Sequence, residues 1–182
     1  MINGIAASPG IEIGKAHVLK IQEINISTEN ISKDDIDGEI KKLDVAVAAS
    51  KEQLEQIKAK AEKELGADKA AIFGAHLMVL EDPVFLDEVK TKITEELITA
   101  DNAVSQVVNN YIEIFSNMED EYMKERAADI KDVGERIVKN ILGIAADSLT
   151  FSEEVIIIAK DLTPSDTAQM DKDKVLAFAT DM

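Results

Sequence analysis

A regular seam of mostly apolar residues between Ile36 and Ala61 constrains this chain most. Its members recur at alternating steps of four and three residues, which is the spacing of a helix that buries one edge against other helices. Ser32 with Asp35 after it resembles a capping box, and Gly66 is typical of a helix end. The pattern predicts one long amphipathic helix. Its seam consists of Ile36, Ile40, Leu43, Val47, Ser50, Leu54, Ile57 and Ala61.

Four shorter helices are predicted after the long one. Each begins at a residue type that caps helices well, and Pro83 follows Asp82 at the first helical position of the second. The connections between them are short, which favours antiparallel neighbours. The predicted spans run from Asp68 to about Glu81, from Pro83 through Leu97, from Thr99 or Asp101 through Phe115, and from Asp120 to Gly143.

Both ends of the chain show strand patterns instead. The start contains short apolar runs at Ile2–Ala7 and Ile11–Val18, and the alternation shifts near Gly14, which is typical of a β-bulge. Towards the end, Val155–Ala159 is a continuous run rich in β-branched residues, typical of a strand buried on both faces. Pro164 to about Met170 is predicted to be a short helix, and Val175–Ala179 a further strand.

This order predicts an α+β chain in which a helical insertion interrupts an α/β subdomain. Residues 1–31 and 144–182 are assigned to the α/β subdomain, and residues 32–143 to an inserted antiparallel helical bundle. Strands that pair only with a hairpin partner are marginally stable in water, so the strands of the two ends are expected to share one sheet. The last strand pattern stops at the end of the chain, so the α/β subdomain is expected to be incomplete.

Charge and composition exclude several function classes. The formal net charge is −16 and the pI is about 4.5. Nucleic-acid binding needs a basic face, and anionic membrane surfaces also repel such a chain. A basic protein partner is compatible with this charge, and so is simple solubility. The chain has no cysteine, which excludes disulfides and thiolate chemistry. It shows neither a signal peptide nor an apolar run long enough to cross a bilayer, so we expect a cytoplasmic protein.

Four stretches, taken together and in this order, resemble enzyme I of the bacterial phosphoenolpyruvate:sugar phosphotransferase system. They are GIAASPGI at 4–11, AIFGAHLMVLED at 71–82, DEYMKERAADI at 120–130 and DLTPSDTAQ at 161–169. The resemblance covers essentially the whole chain. It implies a swivelling-type phosphohistidine α/β domain that carries a helical subdomain, and this subdomain binds the phosphocarrier protein HPr. It also implies a reaction in which a phosphoryl group passes from phosphoenolpyruvate to a histidine of the enzyme and then to HPr.

The resemblance further implies that the phosphoryl-accepting histidine follows Met182. In the family it lies in a Gly-Gly-Arg-Thr-Ser-His segment, whereas this chain contains only His17 and His76, outside any such motif. The phosphoenolpyruvate site, the Mg²⁺ site and the homodimer surface of the family lie in a C-terminal domain. The chain by itself is therefore expected to hold no cofactor, to turn over no substrate and to retain HPr docking.

The residues that the resemblance assigns to HPr docking have plainer interpretations when taken alone. A histidine or methionine in an apolar helix is more often part of the core, alanines favour helices in general, and charged side chains are mostly solvated. In the family Glu often stands where this chain has Ala67 and Val84. This difference affects how strongly the acidic rim of the docking surface attracts a partner, and not where that rim lies. The docking residues implied by the resemblance are Asp68, Lys69, Ala71, Ala75, His76, Met78, Asp82 and Arg126.

Thr167 also has two interpretations. A threonine at the start of a short helix commonly makes a local capping contact. In the family the matching hydroxyl hydrogen-bonds the active histidine, so the resemblance implies that Thr167 orients that ring.

Two other functions remain open on the sequence. The helical seam and the acidic surface also suit an interaction scaffold without transfer chemistry. A different phosphohistidine enzyme, such as a phosphoenolpyruvate synthase or dikinase relative or the nitrogen-related paralogue of enzyme I, is the third hypothesis. The HPr-docking stretch at 71–82 favours enzyme I over this last class.

Overall fold

The computed structural model describes residues 4–19, 24–144 and 149–181. Contacts divide these residues into two compact units. Residues 24–144 form one of them, the helical unit, and residues 4–19 together with 149–181 form the other, the sheet unit. The combination of a mostly helical chain with a small parallel sheet confirms the predicted α+β class.

The helical unit contains five helices, which begin and end within a few residues of the predicted positions. Asp82 and Asp120 cap the helices that follow them, because each carboxylate accepts a hydrogen bond from a backbone N–H of the first turn, at 2.8 Å and 2.9 Å respectively. The elements are a 3-10 turn at Lys33–Asp35, then α1 (Ile36–Leu65), α2 (Ala67–Leu80), α3 (Pro83–Glu96), α4 (Ala100–Ser116) and α5 (Glu121–Ile141).

The buried stripe of α1 differs in part from the predicted seam. Leu43, Leu54 and Ile57 are buried as expected, but Ile36, Ile40 and Val47 are only half-buried, while Glu39 and Ala46 lie in the core. Glu39 is buried because its carboxylate accepts a hydrogen bond from the backbone N–H of Ala100 at 2.8 Å, at the start of α4. A helix N-terminus needs such acceptors, and a sequence pattern that counts only apolar residues cannot detect one.

The segment that precedes α1 packs with the helices. The N–H of Ile31 donates to the carbonyl of Leu97 at 2.8 Å, and the N–H of Ser27 donates to the carboxylate of Asp101 at 2.8 Å. The sequence placed residues up to 31 in the α/β subdomain, whereas the described residues 24–31 belong to the helical unit.

The sheet unit is built around a three-stranded parallel sheet with the order β1-β2-β3. Its strands are β1 (Lys15–Val18), β2 (Val155–Ala159) and β3 (Val175–Thr180), and the short helix α6 (Pro164–Gln169) connects β2 to β3. The central strand β2 places Val155, Ile157 and Ala159 in the core, but Ile156 and Ile158 are half-buried, so only one of its faces is fully covered in the described residues.

The start of the chain differs from its strand prediction. Residues 4–14 contain no strand, and Ile2 and Asn3 of the predicted first run lie outside the described residues. Gly14 is a point of close approach and not a bulge. A Cβ at this position would lie 2.9 Å from Cδ1 of Leu176, so the break in alternation reflects packing against β3.

Candidate functional site

Helix α2 presents two different faces. Ala70, Phe73 and Leu80 point into the core. On the opposite side Ala71 is exposed, Ala75 is half-buried and Met78 is 75% exposed. At 100° per residue, the stripe formed by Asp68, Ala71, Ala75 and Met78 runs along one edge of the helix, and Asp82 extends it past the helix end. We call these five residues the α2 stripe.

The α2 stripe is a shallow apolar strip with a carboxylate at each end. Asp68 and Asp82 are both exposed. Two alanines leave room above the backbone, and the flexible methionine adapts to a contacting surface. Val84, 65% exposed, adds apolar surface just after the strip, at the start of α3. Such a surface fits a protein partner with an apolar centre and a basic rim.

Lys69 and His76 lie away from this stripe. Lys69 is exposed, but it follows Asp68 by one position. One helical position rotates a side chain by about 100°, so Lys69 points away from the stripe. His76 is 0% exposed. The expectation that His76 contributes to the docking surface therefore differs from its position in the structure, because the ring turns inward to reach carboxylates of α5.

The partners of His76 come from α5. Its Nε2 lies 3.1 Å from Oδ1 of Asp129, and its Nδ1 lies 3.6 Å from Oδ2 of Asp132. The ring also meets Phe73 edge-on at 5.7 Å between centroids. Two carboxylates one turn apart on α5 thus face the two nitrogens of one buried imidazole.

Arg126 connects this buried group to the surface. Its Nη1 donates to Oδ2 of Asp129 at 3.0 Å, and its Nη2 donates to the hydroxyl of Tyr122. The guanidinium carbon also lies 4.6 Å from the centre of the Tyr122 ring, a cation–π arrangement. The Arg126 side chain is 30% exposed, so it belongs partly to the surface.

Asp129 is held ionised by these partners. Burial raises the pKa of its carboxyl group, but the hydrogen bond and charge of His76 and then those of Arg126 outweigh burial and place the pKa below its ordinary value of 3.8. The ionised carboxylate can therefore accept both hydrogen bonds at neutral pH.

Thr167 lies on α6, in the sheet unit, and is exposed. Its hydroxyl donates back to the carbonyls of Thr163 and Pro164, at 3.3 Å and 3.0 Å. Capping of α6 is done by Thr163, whose hydroxyl accepts from the N–H of Asp166 at 3.1 Å, and not by Thr167. Because its proton is directed inward, the Thr167 oxygen is left with lone pairs that can accept a hydrogen bond.

The described residues offer no metal site and no membrane span. Within residues 4–19, 24–144 and 149–181, no three His, Asp or Glu side chains are grouped so that they could hold a metal ion. The Mg²⁺ that the resemblance implies for the longer enzyme therefore has no fitting ligand set among these described residues. Among the described helices, none is both long and apolar enough to cross a bilayer.

Comparison with known proteins explains this combination of units. Residues 3–126 match the family model described as PEP-utilising enzyme, N-terminal. The chain belongs to this family. It is 47% identical over its whole length to the phosphoenolpyruvate-protein phosphotransferase of Bacillus subtilis (strain 168) and 48% identical to that of Geobacillus stearothermophilus. It spans about a third of the length of these relatives, 32% and 31% respectively.

Solved structures place this family member with the N-terminal domain of enzyme I. A solution structure of an enzyme I protein superposes with a TM-score of 0.86 at 47% identity, covering all of this chain and 73% of that one. The N-terminal domain of the nitrogen-related enzyme I has a TM-score of 0.68 at 21% identity and shares the fold. The chain thus corresponds to the N-terminal part of enzyme I, as its sequence motifs indicated.

Sequence reasoning missed three residues of the site. Tyr122, Asp129 and Asp132 were not singled out as site residues, although the first two hold Arg126 and the last two face His76. The i, i+3 and i, i+4 spacings around Arg126 are a signal that could have found Tyr122 and Asp129. The pairing of Asp129 with a residue 53 positions away has no local signal.

Proposed function

We propose that this chain is the HPr-docking part of a phosphoenolpyruvate-protein phosphotransferase, and that HPr binds on the α2 stripe and beside Arg126. The observation that carries the proposal is the exposure of the α2 stripe on a helix whose other face is buried: Met78 is 75% exposed beside two alanines. A large exposed side chain next to small ones forms a ridge and a hollow that suit another protein's surface.

Charge supports a basic partner for this surface. The chain carries a formal net charge of −16, and exposed carboxylates mark both ends of the stripe. Exposed ion pairs contribute only about 0–1 kcal/mol each to affinity, so the carboxylates act mainly on association rate and register. The apolar centre of the stripe supplies most of the binding free energy.

The transfer step belongs to the longer enzyme and not to this chain alone. The chain has two histidines, and we propose that neither accepts the phosphoryl group. His76 is fully buried beside two carboxylates, whose negative charge opposes the approach of a phosphoryl donor. In the longer enzyme, the Thr167 oxygen would accept an N–H from the active imidazole and so fix its tautomer and orientation. Such an enzyme would act in the cytoplasm.

An NMR titration of the ¹⁵N-labelled chain with its cognate HPr tests the docking surface. We expect shift changes over residues 71–82 and at Arg126. Met78→Asp removes the apolar ridge and is expected to weaken HPr binding at least tenfold, because it places a charge where the interface loses water. Val45→Asp is the matched control: Val45 is also an exposed apolar helix residue, 62% exposed, but lies on α1.

Three results would contradict this proposal. One is the absence of binding at concentrations where enzyme I of a relative binds its HPr. Another is a set of shift changes confined to the strands of the sheet unit, and the third is equal weakening by the Met78 and Val45 substitutions. Retained helical signals in both variants would show that the loss is not a loss of folding.

A further inference from the structure

A line of hydrogen bonds leads from the core of the helical unit to its surface. His76 is fully buried on α2, Asp129 is 8% exposed on α5, and Arg126 is partly exposed one turn before Asp129. The two oxygens of Asp129 are used separately, since Oδ1 faces Nε2 of His76 at 3.1 Å and Oδ2 accepts from Nη1 of Arg126 at 3.0 Å. His76 therefore holds one oxygen of this carboxylate from the core side, and this contact orients the other oxygen towards Arg126.

Packing alone does not explain a histidine at this position. A buried imidazole costs free energy unless its polar atoms find partners, and an aliphatic residue would fill the same space without that cost. Here Nε2 lies 3.1 Å from Oδ1 of Asp129, while Nδ1 lies 3.6 Å from Oδ2 of Asp132 and makes no hydrogen bond among the described residues, and Phe73 packs against the ring edge-on. The ring is thus held in one orientation by α2 and α5 together, with a donor directed at Asp129.

Arg126 is clamped from two sides as a result. Asp129 holds Nη1, and Tyr122 holds Nη2 through its hydroxyl while its ring lies against the guanidinium. A planar guanidinium fixed in this way projects its other N–H groups in a defined direction. That geometry suits a backbone carbonyl, amide oxygen or carboxylate on a docked protein.

We propose that His76 is a positioning residue for docking: through Asp129 it fixes the guanidinium of Arg126 so that Arg126 binds an oxygen acceptor on HPr. This inference rests on the proposed docking function. His76 then supports recognition from the core without touching HPr, a role that local sequence cannot assign.

A double-mutant cycle tests the inference. The 182-residue chain and its His76→Leu, Arg126→Ala and doubly substituted forms would be titrated with the cognate HPr by calorimetry. Each single substitution is expected to weaken binding by roughly five- to tenfold, the loss of one charge-assisted contact. Because His76 acts through Arg126, the double variant should bind no more weakly than Arg126→Ala alone.

Two further variants separate positioning from general stability. His76→Gln can place its Nε2 amide near the position of the imidazole Nε2, so it is expected to restore binding to within about threefold of wild type. Asp129→Asn weakens the same link without emptying the core, and it should show the same lack of additivity with Arg126→Ala. The side-chain NMR signals of Arg126 are expected to change in His76→Leu and to return towards wild type in His76→Gln.

The inference is overturned if His76→Leu weakens binding as much in the Arg126→Ala background as in the wild type. If His76→Leu does not fold, Asp129→Asn takes its place in this comparison. It is also overturned if Arg126→Ala weakens binding and the folded His76→Leu variant binds like wild type. A wild-type chain that does not bind HPr would instead defeat the docking proposal itself. The two failures are therefore distinguishable.

Discussion

At the scale of single residues, one carboxylate does the most to organise the site. Asp129 joins a buried imidazole to a partly exposed guanidinium, and both partners lower the pKa of Asp129 against the opposing effect of burial. A group whose pKa is lower in the folded than in the unfolded chain stabilises the fold only where it is ionised. The site therefore depends on Asp129 remaining charged.

This dependence predicts how the Asp129→Asn substitution behaves with pH. We expect the variant to lose about 1–3 kcal/mol in the free energy of unfolding at neutral pH, because a buried ionic contact is weakened. The difference from wild type should keep its full size above the ordinary pKa of 3.8 and shrink as the pH falls through the lower folded value. Urea unfolding at a series of pH values measures it.

The control for this experiment is Asp44→Asn on α1. Asp44 also pairs with a cation, Lys90, at 3.0 Å, but its side chain is 57% exposed. Exposed pairs contribute about 0–1 kcal/mol, so this variant should remain within about 0.5 kcal/mol of wild type. A pH-independent loss in Asp129→Asn would show that the carboxylate acts by shape and not by charge.

At the scale of elements, the close crossing of α4 and α5 holds α5 in place. Gly134 allows this approach, because a Cβ there would lie 2.5 Å from Cγ2 and 2.8 Å from Cγ1 of Val108. Val108 is β-branched and stiff, so it cannot easily turn away. Since α5 also carries Arg126 and Asp129, this crossing determines where these two residues lie relative to α2.

A pair of glycine substitutions tests this crossing. Gly134→Ala is expected to destabilise the chain by about 1–3 kcal/mol through overpacking, despite the better helix propensity of alanine. Gly38→Ala on α1 is the matched control, because nothing lies within 4 Å of a Cβ there, and it should stabilise by about 0.5–1 kcal/mol. Thermal unfolding of both variants compares them; a stabilising Gly134→Ala would contradict the close crossing.

At the scale of the whole molecule, net charge is expected to set the association rate of the proposed basic partner. With a formal net charge of −16, the chain attracts a basic protein over distances beyond contact. Salt shortens that range, from about 10 Å at 0.1 M to about 3 Å at 1 M ionic strength.

We therefore expect the rate constant for HPr association to fall roughly tenfold over this salt range, with a much smaller change in the dissociation rate. Stopped-flow or surface-based kinetics would separate the two rates. Met78→Asp should show the opposite pattern, a faster dissociation, since it acts on the contact itself. An association rate insensitive to salt would mean that the acidic surface plays no part in docking.

Local sequence was sufficient for the family, for the helices and for the strands β2 and β3. The helix boundaries around Asp82 and Asp120 followed from capping residues whose contacts are confirmed, because a cap is a local interaction. The strand Val155–Ala159 was predicted with its observed bounds from its β-branched run. The four motifs identified enzyme I, and the exposed stripe of α2 follows from helical spacing once the buried face is known.

Tertiary structure decided what the local pattern could not. Glu39 lies in the core because it caps a helix 61 residues away. Gly14 is a packing contact, and residues 4–14 form no strand. Each of these outcomes depends on a partner that is distant in sequence. The same holds for His76, which turned inward to Asp129. The sequence by itself determined the helices and the strands β2 and β3, because caps and periodicity act within a few residues, but it did not determine where the first strand begins. Only the packing of α2 against α5 decided which side chains of α2 are exposed and which are buried.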